Sequence, residues 1–397
     1  MKILHVVPSL DQMDGGVIRA ALELAVYGQE FGIRSEILGI GPLNIPDCKL
    51  PCEAIHSLPL DQPRSYRFSK HLKPWLRERV SGFDGVVLHG LWLYPNWATH
   101  LICKERRQKY ACFPHGMLDP WPVNGQGHLK RWKKQLYWRG REGKILDAAD
   151  SIFFTTQRER ALASATFRIH SHQRVVTPFG VSDTPKELVE PSRAELKVPP
   201  GHKAALFLGR VHPKKNVHFL IDAWLRADMP PLWHLIIAGP IDKSYQQSLQ
   251  ELIHSKRCNI HFVGPVSGDD KTYLLQRAAW FLLPSKQENF GIAVLEAISH
   301  GCAVAVSNDV YLTDQLHAQS EVLPLHDESW IEFMRTRMQD EGWRSALCKK
   351  DQELVLPKFA IKDIAQAWAA TLHQVFTVAP RSEMNPVLSH DPGLEYV

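Results

Sequence analysis

Short apolar segments that alternate with helix-length segments restrict the fold of this chain more than any other feature. The first half contains six apolar segments of strand length, at residues 2–7, 35–40, 85–89, 111–114, 151–155 and 175–177. The pattern stops at 178–200, where Pro, Lys and Glu concentrate. It then resumes with five more segments, at 204–208, 234–238, 260–263, 280–283 and 303–307. Strands that alternate with helices predict parallel sheets covered by helices. The sequence therefore predicts an α/β protein with two Rossmann-like doubly wound domains that face each other across a cleft.

The length of 397 residues allows two domains that each bury a core. We place the first domain at 1–180 and the second at 181–358. A helix follows at 359–377, and its apolar stripe consists of Ile364, Trp368, Leu372 and Val375. The remaining residues, 378–397, are rich in Pro, Ser and acidic side chains and are predicted to be disordered.

Composition argues against several classes of protein. No segment approaches the ~18–20 consecutive apolar residues of a membrane-spanning helix. The seven cysteines are scattered without the spacing of a zinc site, which favours free thiols in a reducing cytoplasm. A net charge of +5 is too modest to indicate a nucleic-acid-binding protein. We therefore expect a cytoplasmic protein that binds neither metal nor nucleic acid.

Positive charge is concentrated in one segment that also carries aromatic and apolar side chains. Its cations are Lys130, Arg131, Lys133, Lys134, Arg139, Arg141 and Lys144. An amphipathic basic helix of this kind is typical of a protein that lies on an anionic membrane surface. A surface helix with a solvated basic face is the other explanation, and the sequence does not decide between them.

Two carboxylates eight residues apart, Glu288 and Glu296, bracket a turn between an apolar strand and a helix. Glu288 is expected in the loop before the helix and Glu296 about two turns inside it, so the two carboxylates are too far apart to share a proton. The amides of Asn289, Phe290 and Gly291 are predicted to be free donors of the first helical turn, suited to a diphosphate. A helix N-cap followed by a solvated glutamate is the simpler alternative.

Several other polar residues follow predicted strands, where parallel sheets bind ligands. Gly15 and Gly16 come soon after the first strand, and Arg210 and Lys215 follow the first strand of the second domain. Small residues at a helix start and a pair of cations both suit a diphosphate. An ordinary tight turn and a basic surface turn are the respective alternatives.

The first domain offers two His-Gly pairs at predicted strand ends. His89 precedes Gly90, and His115 precedes Gly116 and the nearby Asp119. A histidine in such a place can reach into the cleft, where His89, Trp92 and Asp119 are expected to line the acceptor side. Trp92 and Trp121 could stack on a sugar, although core packing is the commoner role of tryptophan.

The Glu288–Glu296 stretch resembles the E-x7-E signature of the retaining, GT-B-fold glycosyltransferases of family 4, also called glycosyl transferases group 1. The resemblance extends over most of the chain and is strongest at Gly15-Gly16, at 89–139 and at 206–307. It implies that the first domain binds the acceptor and the second the nucleotide sugar. It also implies that the glycine loop faces the donor diphosphate and that the last helix crosses back to the first domain.

The same resemblance assigns roles to individual residues. Glu288 would bind hydroxyls of the donor sugar, and Glu296 would bind the ribose of the nucleotide. Arg210 and Lys215 would neutralise the diphosphate, and His115 would contact the donor sugar. Together with Glu288, those three residues form the predicted catalytic set.

Two departures from the family pattern are visible. Gln287 stands where a serine is usual, and 302–304 replaces the usual Gly-x-Pro-Val run. Both are expected to change donor preference more than the reaction.

The implied reaction moves a sugar from a UDP- or GDP-linked donor to a hydroxyl of a glycan or polyprenyl-linked glycan with retention of configuration. Bacterial exopolysaccharide, capsule or lipopolysaccharide synthesis is the implied setting. The departing phosphate would help to deprotonate the acceptor, without a protein nucleophile, a metal ion or another cofactor. The alternatives are a nucleotide-sugar epimerase of the same fold and a non-catalytic protein that binds nucleotide sugar or membrane. A nicotinamide oxidoreductase is disfavoured because the G-x-G-x-x-G fingerprint is missing.

Overall fold

The computed structural model describes residues 1–11, 16–44, 52–119, 134–170, 173–182, 184, 187–241, 243–253 and 259–377. These residues form two separate parallel sheets with helical connections, which confirms the predicted α/β fold with two Rossmann-like units. Several predicted features lie outside the described residues, namely Gly15, Trp121, the cations Lys130, Arg131 and Lys133, and the tail 378–397.

The first sheet has seven parallel strands in the order β3-β2-β1-β4-β5-β6-β7. Its strands are β1 Lys2–Val6, β2 Arg34–Ile40, β3 Ala54–Leu58, β4 Gly85–His89, β5 Tyr110–Phe113, β6 Ser151–Phe154 and β7 Arg174–Val176. The described helices of this half are α1 Gly16–Gln29, α2 Leu72–Arg79, α3 Tyr94–Arg106, α4 Gly143–Asp147 and α5 Gln157–Thr166, with a π-helical turn at Trp138–Glu142 before α4. Because β1 is central, its strand and the neighbouring β4 are almost entirely buried.

The second sheet has six parallel strands in the order β10-β9-β8-β11-β12-β13. Its strands are β8 Lys203–Leu208, β9 Trp233–Ala238, β10 Ile260–Gly264, β11 Ala278–Leu283, β12 Ala303–Ser307 and β13 Glu321–Leu323. The described helices of this half are α6 Val217–Ala227, α7 Lys243–Ile253, α8 Gly268–Arg277, α9 Ile292–Ser299, α10 Asp327–Arg335, α11 Glu341–Leu354 and α12 Ile361–Thr377. Short 3₁₀ turns lie at Arg64–Tyr66, Val80–Gly82, Ala194–Leu196, Pro213–Lys215, Tyr311–Gln315, Arg337–Gln339 and Leu356–Phe359.

The last helix, α12, packs against α1 of the first half. The Trp368 indole is fully buried and donates a hydrogen bond to the carbonyl oxygen of Leu24 at 3.1 Å. Its ring also meets Phe153 edge-on, with 5.1 Å between ring centroids. Large aromatic side chains bury much apolar area, so this contact links the end of the chain to the first sheet. The domain boundaries at 180 and 358 stay predictions.

Two strands escaped the sequence analysis, and both lie at sheet edges. β3 carries the polar residues His56 and Ser57 and is only half-buried. β13 is only three residues long. An edge strand is less completely buried than a central strand, so it needs fewer apolar side chains. Its apolar pattern in the sequence is therefore weak. Among the described residues, no helix is long and apolar enough to cross a membrane.

Candidate active site

The carboxyl ends of β8 and β11 bring the predicted donor-binding residues of the second domain together. A 3₁₀ turn after β8 carries Lys215, and the loop after β11 carries Glu288. The two loops are joined because the Lys286 amide donates to the carbonyl oxygen of Lys214 at 2.9 Å. Lys215 and Glu288 form an ion pair whose side chains are about one-fifth exposed, at 22% and 18%.

Three cations crowd this end of the sheet. Burial, followed by repulsion from Lys214 and Arg210, lowers the pKa of Lys215 to about 7. The Glu288 carboxylate opposes that shift because an adjacent negative charge favours the ammonium form. Burial also lowers the pKa of the neighbouring Lys214. The cluster is therefore rich in positive charge that Glu288 alone does not neutralise.

The turn at 289–291 differs from its prediction in one respect. Helix α9 begins at Ile292, with Gly291 as its N-cap residue, so the amides of Asn289 and Phe290 precede the first helical turn. Phe290 is buried between Phe179 and Phe359, with ring centroids 5.6 and 5.8 Å away. This packing orders the turn from both sides. Gly291 has a φ of 82°, and a Cβ there would come within 3.3 Å of Cγ of Glu288.

Glu296 is neither solvated nor isolated. Its Oε1 accepts hydrogen bonds from Arg19 of α1 at 2.5 Å and from Lys271 of α8 at 2.6 Å. Burial alone would raise the pKa of Glu296, but the two cations outweigh burial and the pKa lies below its ordinary value. Arg19 also pairs with Glu23, four residues along α1, at 2.9 Å. The carboxylate predicted to bind a ribose thus lies in an ion-pair cluster that joins the two halves of the molecule.

Gly16 begins α1, one turn before Arg19, and a Cβ added to it would meet nothing within 4 Å. The backbone there is consequently open. Its predicted role toward a diphosphate stays a prediction.

The His115-Gly116 loop of the first domain packs directly against the Glu288 loop of the second. A Cβ at Gly116 would lie 2.9 Å from Cβ of Asn289, and Gly116 has a φ of 74°. Both facts require glycine at this position. The amide of Gly116 donates to Glu159 at 2.7 Å, and the Asn289 side chain also donates to Glu159.

Glu159 is a functional candidate that sequence reasoning missed. It is the third residue of α5, and its amide is capped by the Thr156 hydroxyl at 3.0 Å. Its carboxylate also accepts from the amide and hydroxyl of Thr155, at 2.7 and 2.9 Å. The Thr-x-x-Glu capping-box spacing was the available signal.

Three residues expected on the acceptor side lie in different environments. His89 is fully buried beneath His115, so its ring does not line the open cleft as predicted. It ends β4 beside Phe113 of β5, and its ring packs against the rings of Phe113 and His115. Trp92 is half-buried, donates from its indole to the carbonyl oxygen of Met117 at 3.3 Å and packs on Trp138.

Asp119 is fully buried at the junction of the two domains and does not line an open surface. Its carboxylate accepts hydrogen bonds from the Gln287 amide and the Tyr311 hydroxyl. Burial, followed by repulsion from Glu159, raises the pKa of Asp119 from 3.8 to about 7. Gln287, one of the two departures from the family pattern, therefore spans the cleft to the first domain.

No group of three or more His, Cys, Asp and Glu side chains among the described residues is arranged to bind a metal ion. Residues 189–322 match the family model described as "Glycosyl transferases group 1", and residues 15–180 match the "Glycosyl transferase 4-like domain". This chain is a group 1 glycosyltransferase.

Individual relatives of this glycosyltransferase agree with the family. It is 25% identical over 313 residues to the D-rhamnosyltransferase WbpZ of Pseudomonas aeruginosa. The matched region covers 76% of this chain and 76% of that one. It is 30% identical over 146 residues to the O-antigen chain mannosyltransferase B of Escherichia coli, covering 35% of this chain and 38% of that one. The crystal structure of Anabaena HepE in complex with UDP and glucose has a TM-score of 0.75 at 17% identity, covering 94% of this chain and 100% of that one. The last likeness confirms the GT-B fold.

The buried carboxyl of Asp119 makes the stability of the glycosyltransferase depend on pH. Because its pKa rises from 3.8 unfolded to about 7 folded, the folded state binds the proton more tightly. The contribution of Asp119 to the free energy of unfolding therefore decreases as pH rises from about 4 to about 7. We expect the unfolding free energy of the wild type, relative to Asp119→Asn, to fall by up to about 4 kcal/mol across this window.

Urea unfolding of both proteins at a series of pH values measures this difference. Asparagine matches the shape of aspartate and carries no titrating proton, so the other ionisable groups cancel in the comparison. Parallel stability curves for the two proteins would contradict the assignment.

Proposed function

We propose that this glycosyltransferase transfers a hexose from a nucleotide sugar to a hydroxyl of a glycan or lipid-linked glycan, with retention of configuration, in bacterial polysaccharide synthesis. The similarity to two sugar transferases, a D-rhamnosyltransferase and an O-antigen chain mannosyltransferase, supports the polysaccharide role. The HepE structure, which contains UDP and glucose, supports a nucleotide-sugar donor.

One observation carries the proposal. The Gly116 backbone lies against Asn289, so the His115 loop of the first domain meets the Glu288 loop of the second. Lys215, Arg210 and Lys214 lie at the same end of the second sheet. Cations from one domain, together with a histidine and a carboxylate at the contact, provide groups for a diphosphate and for sugar hydroxyls.

The Lys215–Glu288 ion pair suggests how the donor would engage the site. A bound diphosphate would favour the charged form of Lys215, because an adjacent anion raises the pKa of an ammonium group. Lys215 would then exchange Glu288 for phosphate oxygens, and the released carboxylate would accept hydrogen bonds from sugar hydroxyls. Arg210 and Lys215 would also stabilise the charge that develops on the departing diphosphate.

The donor can be identified by thermal unfolding in the presence of UDP-, GDP- and other nucleotide-linked sugars, since a ligand that binds the native state stabilises it. We expect at least one nucleotide sugar to raise the melting temperature. With that donor, Glu288→Gln should weaken nucleotide-sugar binding about tenfold to a hundredfold while leaving free-nucleotide binding close to wild type. Glu296→Gln should weaken both.

Glu332→Gln, on the exposed face of α10, is the matched control and should change neither affinity. The anomer of free sugar released first when water replaces the acceptor, read by proton NMR, reports retention or inversion. Equal loss of nucleotide and nucleotide-sugar binding in Glu288→Gln would contradict its assignment to the sugar. A panel in which no nucleotide sugar stabilises the protein would contradict the donor class.

The proposed reaction is independent of divalent metal, because fixed cations at the diphosphate replace the charge that Mg²⁺ supplies elsewhere. We expect sugar transfer to continue at an undiminished rate in EDTA. Activity lost in EDTA and restored by added Mg²⁺ would disprove metal independence.

Attachment to an anionic membrane surface is a separate proposal, which rests on the basic segment. Arg139 and Lys144 are exposed, and Leu136 beside them is 62% exposed. Two other cations face aromatic side chains: Lys134 lies 5.4 Å from the Trp92 ring centroid, and Arg141 donates to the Tyr66 hydroxyl at 2.6 Å. The exposed cations, together with those at 130–133, are the ones proposed to meet lipid headgroups.

Neutralising Lys130, Arg131 and Lys133 to glutamine should reduce sedimentation with phosphatidylglycerol vesicles at least tenfold, because each cation near such a surface contributes about 1 kcal/mol. The control removes the same charge from exposed lysines of the second half, Lys349, Lys350 and Lys362. Equal binding of the two triple variants to the vesicles would contradict the membrane proposal.

A further inference from the structure

Three histidines of the first domain, His5 in β1, His89 at the end of β4 and His115 in the turn after β5, are linked in a single hydrogen-bonded series. Nδ1 of His5 lies 2.9 Å from Nε2 of His89, and Nδ1 of His89 lies 2.9 Å from Nε2 of His115. The His89 and His115 rings are stacked, with centroids 5.2 Å apart. His5 and His89 have no exposed surface, whereas His115 is half-buried at the contact between the domains. The chain therefore runs from the centre of the sheet to the site.

Neutral imidazole has one N–H donor and one bare nitrogen acceptor. Two hydrogen bonds in series thus permit only two proton arrangements. In the first, each ring carries its proton on Nδ1, and His5 donates to His89, which donates to His115. In the second, each ring carries its proton on Nε2, and both bonds point the other way. Any mixed arrangement loses at least one of the two bonds.

The buried end of the histidine series, at His5, decides between the two proton arrangements. Nε2 of His5 is buried and has no hydrogen-bond partner among the described residues. The second arrangement would leave an N–H without an acceptor there, whereas the first leaves only a bare nitrogen. Buried N–H groups without partners are rarer in proteins than under-used acceptors, which favours the first arrangement. Protonated rings are disfavoured, because burial lowers the pKa of His5 and of His115 to about 3.

We propose that His5 and His89 are positioning residues that hold His115 as its Nδ1–H tautomer, so that His115 offers the donor sugar a hydrogen-bond donor. Nδ1 of His115 has no hydrogen-bond partner among the described residues and belongs to the half-buried ring, so it is the free end of the chain. In this tautomer Nδ1 binds a sugar oxygen and does not accept a proton from an attacking hydroxyl. The identity of the ligand rests on the proposed function, whereas the tautomer does not.

The tautomer is measured directly by NMR of the full-length protein labelled with ¹⁵N-histidine. The signals of His115 are assigned as those that disappear in His115→Gln. We expect its Nδ1 to carry the proton and its Nε2 to be bare, in the absence of any substrate. A protonated Nε2 with a bare Nδ1, or an imidazolium at neutral pH, would overturn the inference. This outcome is independent of whether the protein transfers sugar.

Two substitutions at His89 of equal size test the positioning role. The amide nitrogen of His89→Asn can still donate to Nε2 of His115, whereas the carboxylate of His89→Asp can only accept when it is ionised, so the two variants are compared at a pH above the titration of that carboxyl. We expect the asparagine variant to keep the Nδ1–H tautomer and the aspartate variant to shift His115 to a form with a protonated Nε2. The aspartate variant should raise KM for the nucleotide sugar about tenfold more than the asparagine variant does, with similar affinity for free nucleotide.

Circular dichroism of both variants checks that they fold. If folded asparagine and aspartate variants show the same His115 tautomer and the same KM, His89 acts only by packing, and the positioning role is wrong. If the tautomers shift as expected but KM for the nucleotide sugar does not follow them, His115 is not the contact to the donor sugar.

Discussion

One buried carboxylate, Glu159, connects loops of the two domains at the cleft. It accepts hydrogen bonds from Thr155 at its own helix start, from the Gly116 amide and from the Asn289 side chain of the second domain. Burial raises the pKa of Glu159, and these donors oppose the shift by stabilising the carboxylate. Removing the carboxylate would leave several buried donors unsatisfied, which costs more than a hydrogen bond contributes. The close approach of Gly116 to Asn289, and with it the position of His115, depends on this group.

Both glutamates of the E-x7-E pair are engaged by cations, but in different ways. Glu288 pairs with Lys215 inside the second domain. If a diphosphate replaced Glu288 at Lys215 and a sugar replaced Lys215 at Glu288, the change would involve only the second domain. Glu296 pairs with Lys271 of the second domain and with Arg19 of the first. Partly buried ion pairs contribute little net stability but disfavour states in which one partner is left alone. The Glu296 cluster therefore couples the relative position of the domains to whatever binds at that carboxylate.

Features of the fold that depend on local sequence pattern could be predicted from the sequence. Strands of the sheet interior were located because both of their faces are apolar, whereas the half-buried edge strand β3 was missed. Gly116 and Gly291 were noticed as parts of motifs, but their need for glycine follows from contacts with Asn289 and Val310. His89 was expected at the open cleft because it follows a strand. The structure instead buries it, because the rings of His5, Phe113 and His115 pack around it.

By itself, the sequence determined the α/β class, the two parallel sheets, the family and the location of cations and carboxylates at strand ends. These depend on periodicity and on residues near one another along the chain. Only the tertiary structure decided that Arg19 meets Glu296, that Gln287 meets Asp119 and that His5, His89 and His115 form a chain. The partners in these contacts are separated by 26 to 277 residues. Their pairing follows from strand order and from the packing of one domain against the other, which local pattern does not encode.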